Sequence, residues 1–172
     1  MITSEDLEQI MPHARGRAAR FAEPLRHAMT EFDITTPHRI AAFLAQIAHE
    51  SGELRYVREL ASGDAYERRA DLGNTEPGDG RRFKGRGLIQ ITGRDNYRKC
   101  GEALELDLVE QPELLEKTVI ACRSAAWFWK CRGLNELADA GDFRAITKRI
   151  NGGYNGYQER LAYYARAQQV IR

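Results

Sequence analysis

"AFLAQIAHESGEL", residues 42–54, is an apolar helical pattern that ends on the carboxylate of Glu50. The pattern predicts a helix over 37–51, with Thr36 as its N-cap and Gly52 as its stop. The C-terminal end of a helix is the negative end of its dipole, so a carboxylate there is disfavoured and its neutral form is relatively favoured. Glu50 is therefore either a solvated residue at a frayed helix end or a residue placed there for chemistry.

Helical periodicity on both sides of this stretch predicts a mainly α-helical protein. Apolar residues at spacings of three and four predict helices over 4–11 and 15–32. After residue 95 the periodicity returns and predicts further helices over 95–104, 112–116, 118–131, 134–140, 142–150 and 157–171. The segment 118–131 is apolar on most sides, so we expect it to be the central buried helix.

A long polar segment interrupts the helical pattern. Residues 62–87 are rich in glycine, aspartate, asparagine and arginine, and the segment is too long for a simple connector. "GLIQITG", residues 87–93, follows it and suggests a strand or an extended buried segment. We therefore expect a single domain over 1–172. A small irregular or β-hairpin insert at about 62–92 would separate two helical lobes that flank a central cleft.

The composition of the 172-residue chain excludes several classes of protein. With 42% hydrophobic and 30% charged residues it is typical of a globular domain, not of a disordered one. The net charge of +1 gives no general reason to expect a nucleic-acid partner. The local basic cluster at 81–86 would suit either a solvated loop or an anionic polymer. No apolar run or leader predicts stable membrane insertion or export.

The cysteines and histidines predict neither a disulfide framework nor a metal site. Three cysteines cannot all pair, which favours a reduced, cytoplasmic chain. The four histidines are scattered without a metal-binding spacing, and no cofactor is implied. Cys100, Cys122 and Cys131 lie in or beside apolar helical patterns, so we expect buried, inert thiols and not a nucleophile.

The position of Glu50 on its helix is suited to a general acid. It continues the apolar stripe that Phe43 and Ile47 form, and a carboxyl group beside apolar side chains loses solvation, which favours its protonated form. A general acid for glycoside hydrolysis works with a second carboxylate. Spacing excludes Glu53 as too close to oppose Glu50, and it does not choose among the remaining acids downstream, which are Glu59, Asp64, Glu67 and Asp71.

Polar residues elsewhere are candidates for contacts with a sugar. Gln90 and Thr92 alternate along one extended segment and would project to the same side, where an amide and a hydroxyl can orient a sugar or a water. Asn151 precedes a Gly-Gly turn, and Arg160 lies near the start of the last predicted helix. The residue pattern leaves open whether these last two are structural or bind a ligand.

Three motifs together resemble glycoside hydrolase family 19, the chitinase-like group: "AAFLAQIAHESGEL", "GRGLIQITGRDNY" and "INGG…ERLAYY". The resemblance runs from about residue 35 to the C-terminus. The compact form of the chain, including its N-terminal helices, resembles the bacteriophage and tailocin endolysins that cut peptidoglycan. The resemblance implies a two-lobed, lysozyme-like helical fold with a central cleft.

The resemblance also assigns roles to individual residues. It implies that Glu50 is the general acid, that Glu59 is the general base, and that Thr92 helps to hold the attacking water. It implies substrate binding by four further residues, of which the last would contact the second carboxylate: Gln90, Asn96, Asn151 and Arg160. Asp95 stands where family chitinases usually carry a tyrosine, which is compatible with a different polysaccharide.

The mechanism implied is inverting hydrolysis of the β-1,4 bond between N-acetylmuramic acid and N-acetylglucosamine, with carboxyl groups roughly 6.5–9.5 Å apart. By the same resemblance we expect a monomer that acts on peptidoglycan glycan strands. It would stay in the host bacterial cytoplasm until a holin-type partner permeabilises the inner membrane and releases it to the periplasm and cell wall. The alternatives are a chitinase and a non-catalytic wall-binding or helix-turn-helix module.

Overall fold

The computed structural model describes residues 2–172 and confirms a mainly α-helical fold. Its helices are α1 (Ser4–Ile10), α2 (Ala18–Glu31), α3 (Pro37–Glu50), α4 (Asp79–Arg82), α5 (Arg94–Leu104), α6 (Thr118–Cys131), α7 (Leu134–Asp139), α8 (Phe143–Asn151) and α9 (Tyr157–Val170). Short 3-10 helices occupy Asp64–Tyr66, Ala70–Leu72 and Pro112–Glu116. In the described residues, no helix is both long enough and apolar enough to cross a membrane.

Capping residues fix the starts of the helices that lead to the site. The Thr36 hydroxyl accepts a hydrogen bond from the Arg39 amide at 3.3 Å, and Pro37 occupies the first turn of α3, as predicted. At α1 the cap is Thr3, which exchanges hydrogen bonds with Asp6 in a capping box.

Two hydrophobic cores form the two lobes. The larger core joins α1, α2, α3, α7, α8 and α9 and one side of α6, and includes an edge-to-face contact between Phe43 and Trp129 with ring centroids 5.3 Å apart. The smaller core surrounds α5 and the segment before it, with Phe83 and Tyr97 in edge-to-face contact. Because α6 contributes side chains to both cores, it is central to the fold, as predicted.

The segment 87–93 is a turn and not the expected strand. Residues 87–90 form a turn between two bridge residues, Arg86 and Ile91, and Arg86 also bridges to Arg58. Gly87 has φ of +98°, and a Cβ built on it would lie 2.8 Å from the Ser124 hydroxyl on α6. The chain bends at Gly87 because glycine, which has no Cβ, allows both the positive φ and the close approach to α6. The turn divides its apolar residues between the two cores, which an extended strand would not do.

The polar insert is attached to α5 by an ion pair with a buried carboxylate. The carboxylate of Asp79, which is buried, accepts hydrogen bonds from Arg94 Nη2 at 2.6 Å and Nε at 2.9 Å. Burial acts to raise the pKa of Asp79, but the hydrogen bonds and charge of Arg94 outweigh it and hold this pKa below its usual range. Since Arg94 begins α5, the pair fixes the insert to the helix that carries Asn96.

Candidate active site

A cleft of about 500 Å³ lies between the two lobes. Four of the residues predicted for the site line it: Glu50, Gln90, Thr92 and Asn96. Glu50 enters from the end of α3, Gln90 and Thr92 from the bridged turn, and Asn96 from the first turns of α5. Each lobe therefore supplies part of the wall, as expected for a glycan-binding groove.

Glu50 is the last residue of α3 and forms an ion pair with a buried arginine. Arg160 Nη2 lies 2.6 Å from Glu50 Oε1, and the Arg160 side chain is 1% exposed. Arg160 Nη1 also donates to Gln46 Oε1 at 2.5 Å, and Gln46 Nε2 donates to the Thr147 hydroxyl at 2.9 Å. The expectation that Arg160 contacts the second carboxylate was therefore wrong, because α9 packs against α3 and places Arg160 on Glu50.

His49, the residue before Glu50 on α3, also faces α9. Its ring Nδ1 contacts the carboxylate of Glu159, and the ring packs against Gly156, where a Cβ would lie 2.2 Å from His49 Cε1. Only glycine leaves room for this approach at the start of α9. His49 and Arg160 together dock α9 on α3 and hold Glu50 at the cleft wall.

Glu59 lies on a segment that pairs with Gly85 and Arg86, just before the turn at 87–90. Its amide donates to the Gly85 carbonyl at 2.9 Å, and its Oε2 accepts a hydrogen bond from the Tyr66 hydroxyl at 2.9 Å. Burial, followed by this bond to Glu59, raises the pKa of Tyr66. Within the described part of the chain, Glu59 Oε1 is buried and has no hydrogen-bond partner.

Glu59 and Gln90 meet beside Gly85. A Cβ built on Gly85 would lie 2.6 Å from Gln90 Oε1 and 2.9 Å from Glu59 Oε2. Among the described residues, the cleft lining includes Gln90 but not Glu59, so the Glu59 carboxylate lies at the edge of the cleft, beside Gly85 and Gln90. Any side chain at position 85 would push the two groups apart.

The competing acids are all engaged in structural contacts. Asp64 pairs with Arg81, Asp71 pairs with Arg69, and Glu67 accepts hydrogen bonds from two backbone amides of the α4 region. Glu53 points toward the N-terminal region, where it binds His13 and Tyr163. Among the acids that spacing left open, Glu59 therefore remains the candidate for the second carboxylate.

Of the two asparagines predicted to bind sugars, one lies in the cleft wall and the other does not. Asn96 lines the cleft, and its side-chain amide donates to the Thr92 carbonyl at 2.7 Å, which holds the two residues together. Asn151 is exposed at the end of α8. Among the residues that the structure describes, the cleft lining includes its neighbour Ile150 but not Asn151.

Several cleft residues were not singled out from the sequence. They come from α5, from α6 and from the residue after α6: Lys99, Trp127, Phe128, Cys131 and Arg132. The apolar pattern of α6 marked Trp127 and Phe128 as core, but both are only partly buried because they face the gap between the lobes. A tryptophan and a phenylalanine at that position offer flat apolar surfaces to sugar rings.

Cys131 corrects the expectation of three buried thiols. It is exposed and lines the cleft, whereas Cys100 and Cys122 are fully buried. Burial raises the pKa of the Cys100 thiol to about 12 and also raises that of Cys122. These two thiols are therefore inert, as expected.

A buried carboxylate holds the turn that follows Glu50. Gly52, Glu53 and Leu54 all have positive φ, which costs conformational energy at the two non-glycine positions. Glu53 is 5% exposed and accepts hydrogen bonds from the His13 amide at 2.5 Å and the Tyr163 hydroxyl at 2.7 Å. These contacts from both ends of the chain stabilise the turn between the two candidate catalytic carboxylates.

The replacement Glu53→Gln is expected to lower the free energy of unfolding by about 1–3 kcal/mol at pH 7, because hydrogen bonds to a charged acceptor are lost. Burial acts to raise the pKa of Glu53, but the hydrogen bonds of His13 and Tyr163 outweigh it and hold this pKa below its usual range. The stabilisation is therefore present above the unfolded-state pKa of about 4.3 and disappears as pH falls through the lower folded-state value.

Urea unfolding at neutral pH and at about pH 3, below the ordinary glutamate pKa, measures this difference. The gap between the native protein and Glu53→Gln should be largest at neutral pH and shrink in acid. Glu102→Gln, a change at an exposed carboxylate of α5, is the matched control and should show no gap. A gap of equal size at both pH values would contradict the assignment.

Comparison with known proteins supports the same kind of site. The family described as chitinase class I matches residues 20–143. A glycosyl hydrolase family 19 domain-containing protein of Haemophilus influenzae is 31% identical, over 95% of this chain and 94% of its own length. An Arabidopsis thaliana endochitinase is 40% identical over 66% of this chain, a match that spans 39% of the plant protein.

Solved structures share the fold. A bacterial family 19 chitinase superposes with a TM-score of 0.81 at 24% identity, covering 99% of this chain and 94% of that one. Chitinase C from Streptomyces griseus superposes with a TM-score of 0.80 at 23% identity, covering 99% and 92%. The fold and the matched sequence together define a glycoside hydrolase of the chitinase type. The chain belongs to glycoside hydrolase family 19.

Proposed function

We propose that this glycoside hydrolase cleaves the β-1,4 bonds of peptidoglycan glycan strands with inversion, in the manner of an endolysin. The observation that carries the hydrolytic part is the pair of carboxylates. Glu50 lines the cleft from α3, and Glu59 reaches its edge beside Gln90 from a different segment. Two carboxyl groups that enter from separate segments can act on opposite faces of one sugar ring.

Each group has a distinct role in the proposed reaction. Glu50 donates a proton to the glycosidic oxygen as the bond to the anomeric carbon breaks. Glu59 removes a proton from a water that attacks this carbon from the opposite face, and Thr92 helps to hold that water. Inversion requires the two carboxyl groups to be about 6.5–9.5 Å apart, so that the water fits between the sugar and the base. Gln90, Asn96 and Asn151 would bind the sugars.

Arg160 positions the acid. Its Nη2 lies 2.6 Å from Glu50 Oε1, and its side chain is 1% exposed. Because this buried contact fixes the end of α3, it holds the Glu50 carboxyl group at the cleft wall, where the group can reach the glycosidic oxygen. Glu50 must carry a proton in order to act as the acid.

The charge of the cleft supports peptidoglycan over a neutral glycan. Its lining carries two cations, Lys99 and Arg132, and one carboxylate, Glu50, which is already paired. The plant and bacterial relatives favour chitin as the second candidate substrate, since they are chitinases. Both polymers contain N-acetylglucosamine in β-1,4 linkage, so the same carboxylates would cleave either.

Mass analysis of digests tests the choice of substrate. Purified peptidoglycan should release disaccharide-peptides that end in a reducing N-acetylmuramic acid, which identifies the bond cut. Release of products from chitin oligomers alone would overturn the proposal in favour of a chitinase. Binding to the wall without any glycan product would favour a non-catalytic module.

Release of the enzyme to the wall is the last part of the proposal. We propose a monomer that depends on a holin-type partner to cross the inner membrane. The resemblance of the compact chain and its N-terminal helices to endolysins supports this route. Cells that produce the protein with a membrane permeabiliser should lyse, and cells that produce it alone should not. Equal lysis in both cultures would contradict the dependence.

A further inference from the structure

Two cations in the cleft wall have no carboxylate partner. Lys99 on α5 and Arg132 directly after α6 both line the cleft and are both exposed. Within the part of the chain that the structure describes, neither forms an ion pair. Arg132 instead lies over the ring of Phe128, with its guanidinium carbon 4.8 Å from the ring centroid.

The other cations of the same two helices are all paired. The pairs on α5 and α6 are Arg94 with Asp79, Arg98 with Asp95, Arg123 with Glu31 and Lys130 with Asp33. The chain has 25 acidic and 26 basic residues, so carboxylates are not scarce. Among the cations of α5, of α6 and of the residue that follows α6, the two without a partner are therefore the two that line the cleft.

The cleft consequently favours an anionic group. Its one lining carboxylate, Glu50, is compensated by Arg160 behind it, which leaves the charges of Lys99 and Arg132 uncompensated. Charges of one sign inside a groove with low-dielectric walls raise the local concentration of the opposite charge. Cationic donors also form stronger hydrogen bonds with an anionic group than neutral donors do.

The two cations flank the groups suited to the sugar rings. Lys99 follows Asn96 by one helical turn, so both project from the same face of α5. Arg132 lies beyond Phe128 and Trp127, whose partly exposed rings form the apolar wall. Amide and aromatic contacts can therefore hold a sugar while the longer cationic chains reach the substituents that it carries.

We propose that Lys99 and Arg132 form an anion subsite that binds the carboxylates carried by the substituents of the glycan. This inference rests on the proposed action on peptidoglycan and identifies what distinguishes that substrate at the cleft. Chitin carries only hydroxyl and N-acetyl groups, which are neutral. N-acetylmuramic acid carries a lactyl ether, which ends either in a free carboxylate or in a peptide stem with carboxylates of its own.

Binding measurements in a Glu50→Gln background test the subsite without turnover. The ligands are a chitin hexamer, glycan strands stripped of peptide by an amidase, the same strands with their lactyl carboxylates converted to amides, and intact disaccharide-peptide oligomers. Lys99→Gln and Arg132→Gln together should lower the affinity for stripped strands, relative to the hexamer, by about tenfold. Arg15→Gln with Lys117→Gln removes the same charge from exposed positions elsewhere and is the matched control.

Amidation of the strands should weaken binding to the parent by a similar factor and should cause little further loss in the variant with both cations removed. If the double variant loses more affinity for peptide-bearing oligomers than for stripped strands, the two cations contact the stem carboxylates. If it loses more affinity for stripped strands, they contact the lactyl carboxylate. The subsite would be overturned if neither the double substitution nor amidation changed the ratio of the affinity for stripped strands to that for the chitin hexamer. Failure of the native enzyme to cut peptidoglycan while it cuts chitin would overturn the proposed function, whatever the binding ratios show.

Discussion

Glu50→Gln is expected to reduce the rate of glycan hydrolysis by about 10²–10⁴-fold, because the amide cannot donate the proton that the leaving oxygen needs. The fold should persist, since glutamine has the same shape and its amide oxygen can still accept a hydrogen bond from Arg160. The loss should appear in kcat, with the affinity for the glycan largely retained. Initial rates of turbidity loss on peptidoglycan, with circular dichroism on the same samples, measure both.

The ion pair with Arg160 makes a control necessary. A buried guanidinium that loses its carboxylate costs stability, and that cost could lower activity without any catalytic role. Thermal unfolding should therefore be compared with activity at a temperature well below the transition of the variant. Glu102→Gln supplies the matched surface change and should leave the rate unaltered. Lysis by folded Glu50→Gln at the native rate would contradict the role of Glu50.

Glu59→Gln is expected to cost a similar factor of about 10²–10⁴, because the attacking water loses its base. Glu59 Oε2 is held by Tyr66, and Oε1 is buried without a protein partner among the described residues. Tyr66→Phe removes the donor that orients the carboxylate and should have a smaller effect. Initial rates on peptidoglycan for both variants give the comparison.

Two controls separate a base from a structural residue. Glu67→Gln changes another acid of the same insert, one that binds the backbone amides of Gly78 and Gly80, and should act mainly on stability. Azide added to Glu59→Ala can replace the activated water, attack the anomeric carbon and yield a glycosyl azide, while Glu50 protonates the departing oxygen. A slow Glu67→Gln enzyme together with a fully active Glu59→Gln enzyme would reverse the assignment.

The helices and much of the cleft could be predicted from the sequence because both depend on local patterns. Apolar spacing placed α3 and α6 within one residue of their observed ends. Gln90 and Thr92 both line the cleft, but so do Ile89 and Ile91, because the segment that carries them is a turn. The expected alternation of an extended segment is therefore absent, and it was the wrong reason for placing Gln90 and Thr92 in the cleft.

The partners of the charged residues could not be predicted, because they depend on contacts between distant segments. Arg160 is 114 residues from Gln46, and the packing of α9 on α3 decides that it meets Glu50. The same applies to Tyr66, whose bond to Glu59 depends on how the insert folds back. Spacing likewise could not choose Glu59 among five acids; the family resemblance selected it, and the structure adds that the other four acids are engaged in structural contacts.

The stereochemistry of the first product tests the central claim most directly. Proton NMR of a fresh digest of soluble glycan strands resolves the anomers of the new reducing end before mutarotation mixes them. Two carboxylates that act on opposite faces through a water predict that the α-anomer appears first from a β-1,4 bond. Initial accumulation of the β-anomer would mean retention, and would contradict the roles given to Glu50 and Glu59.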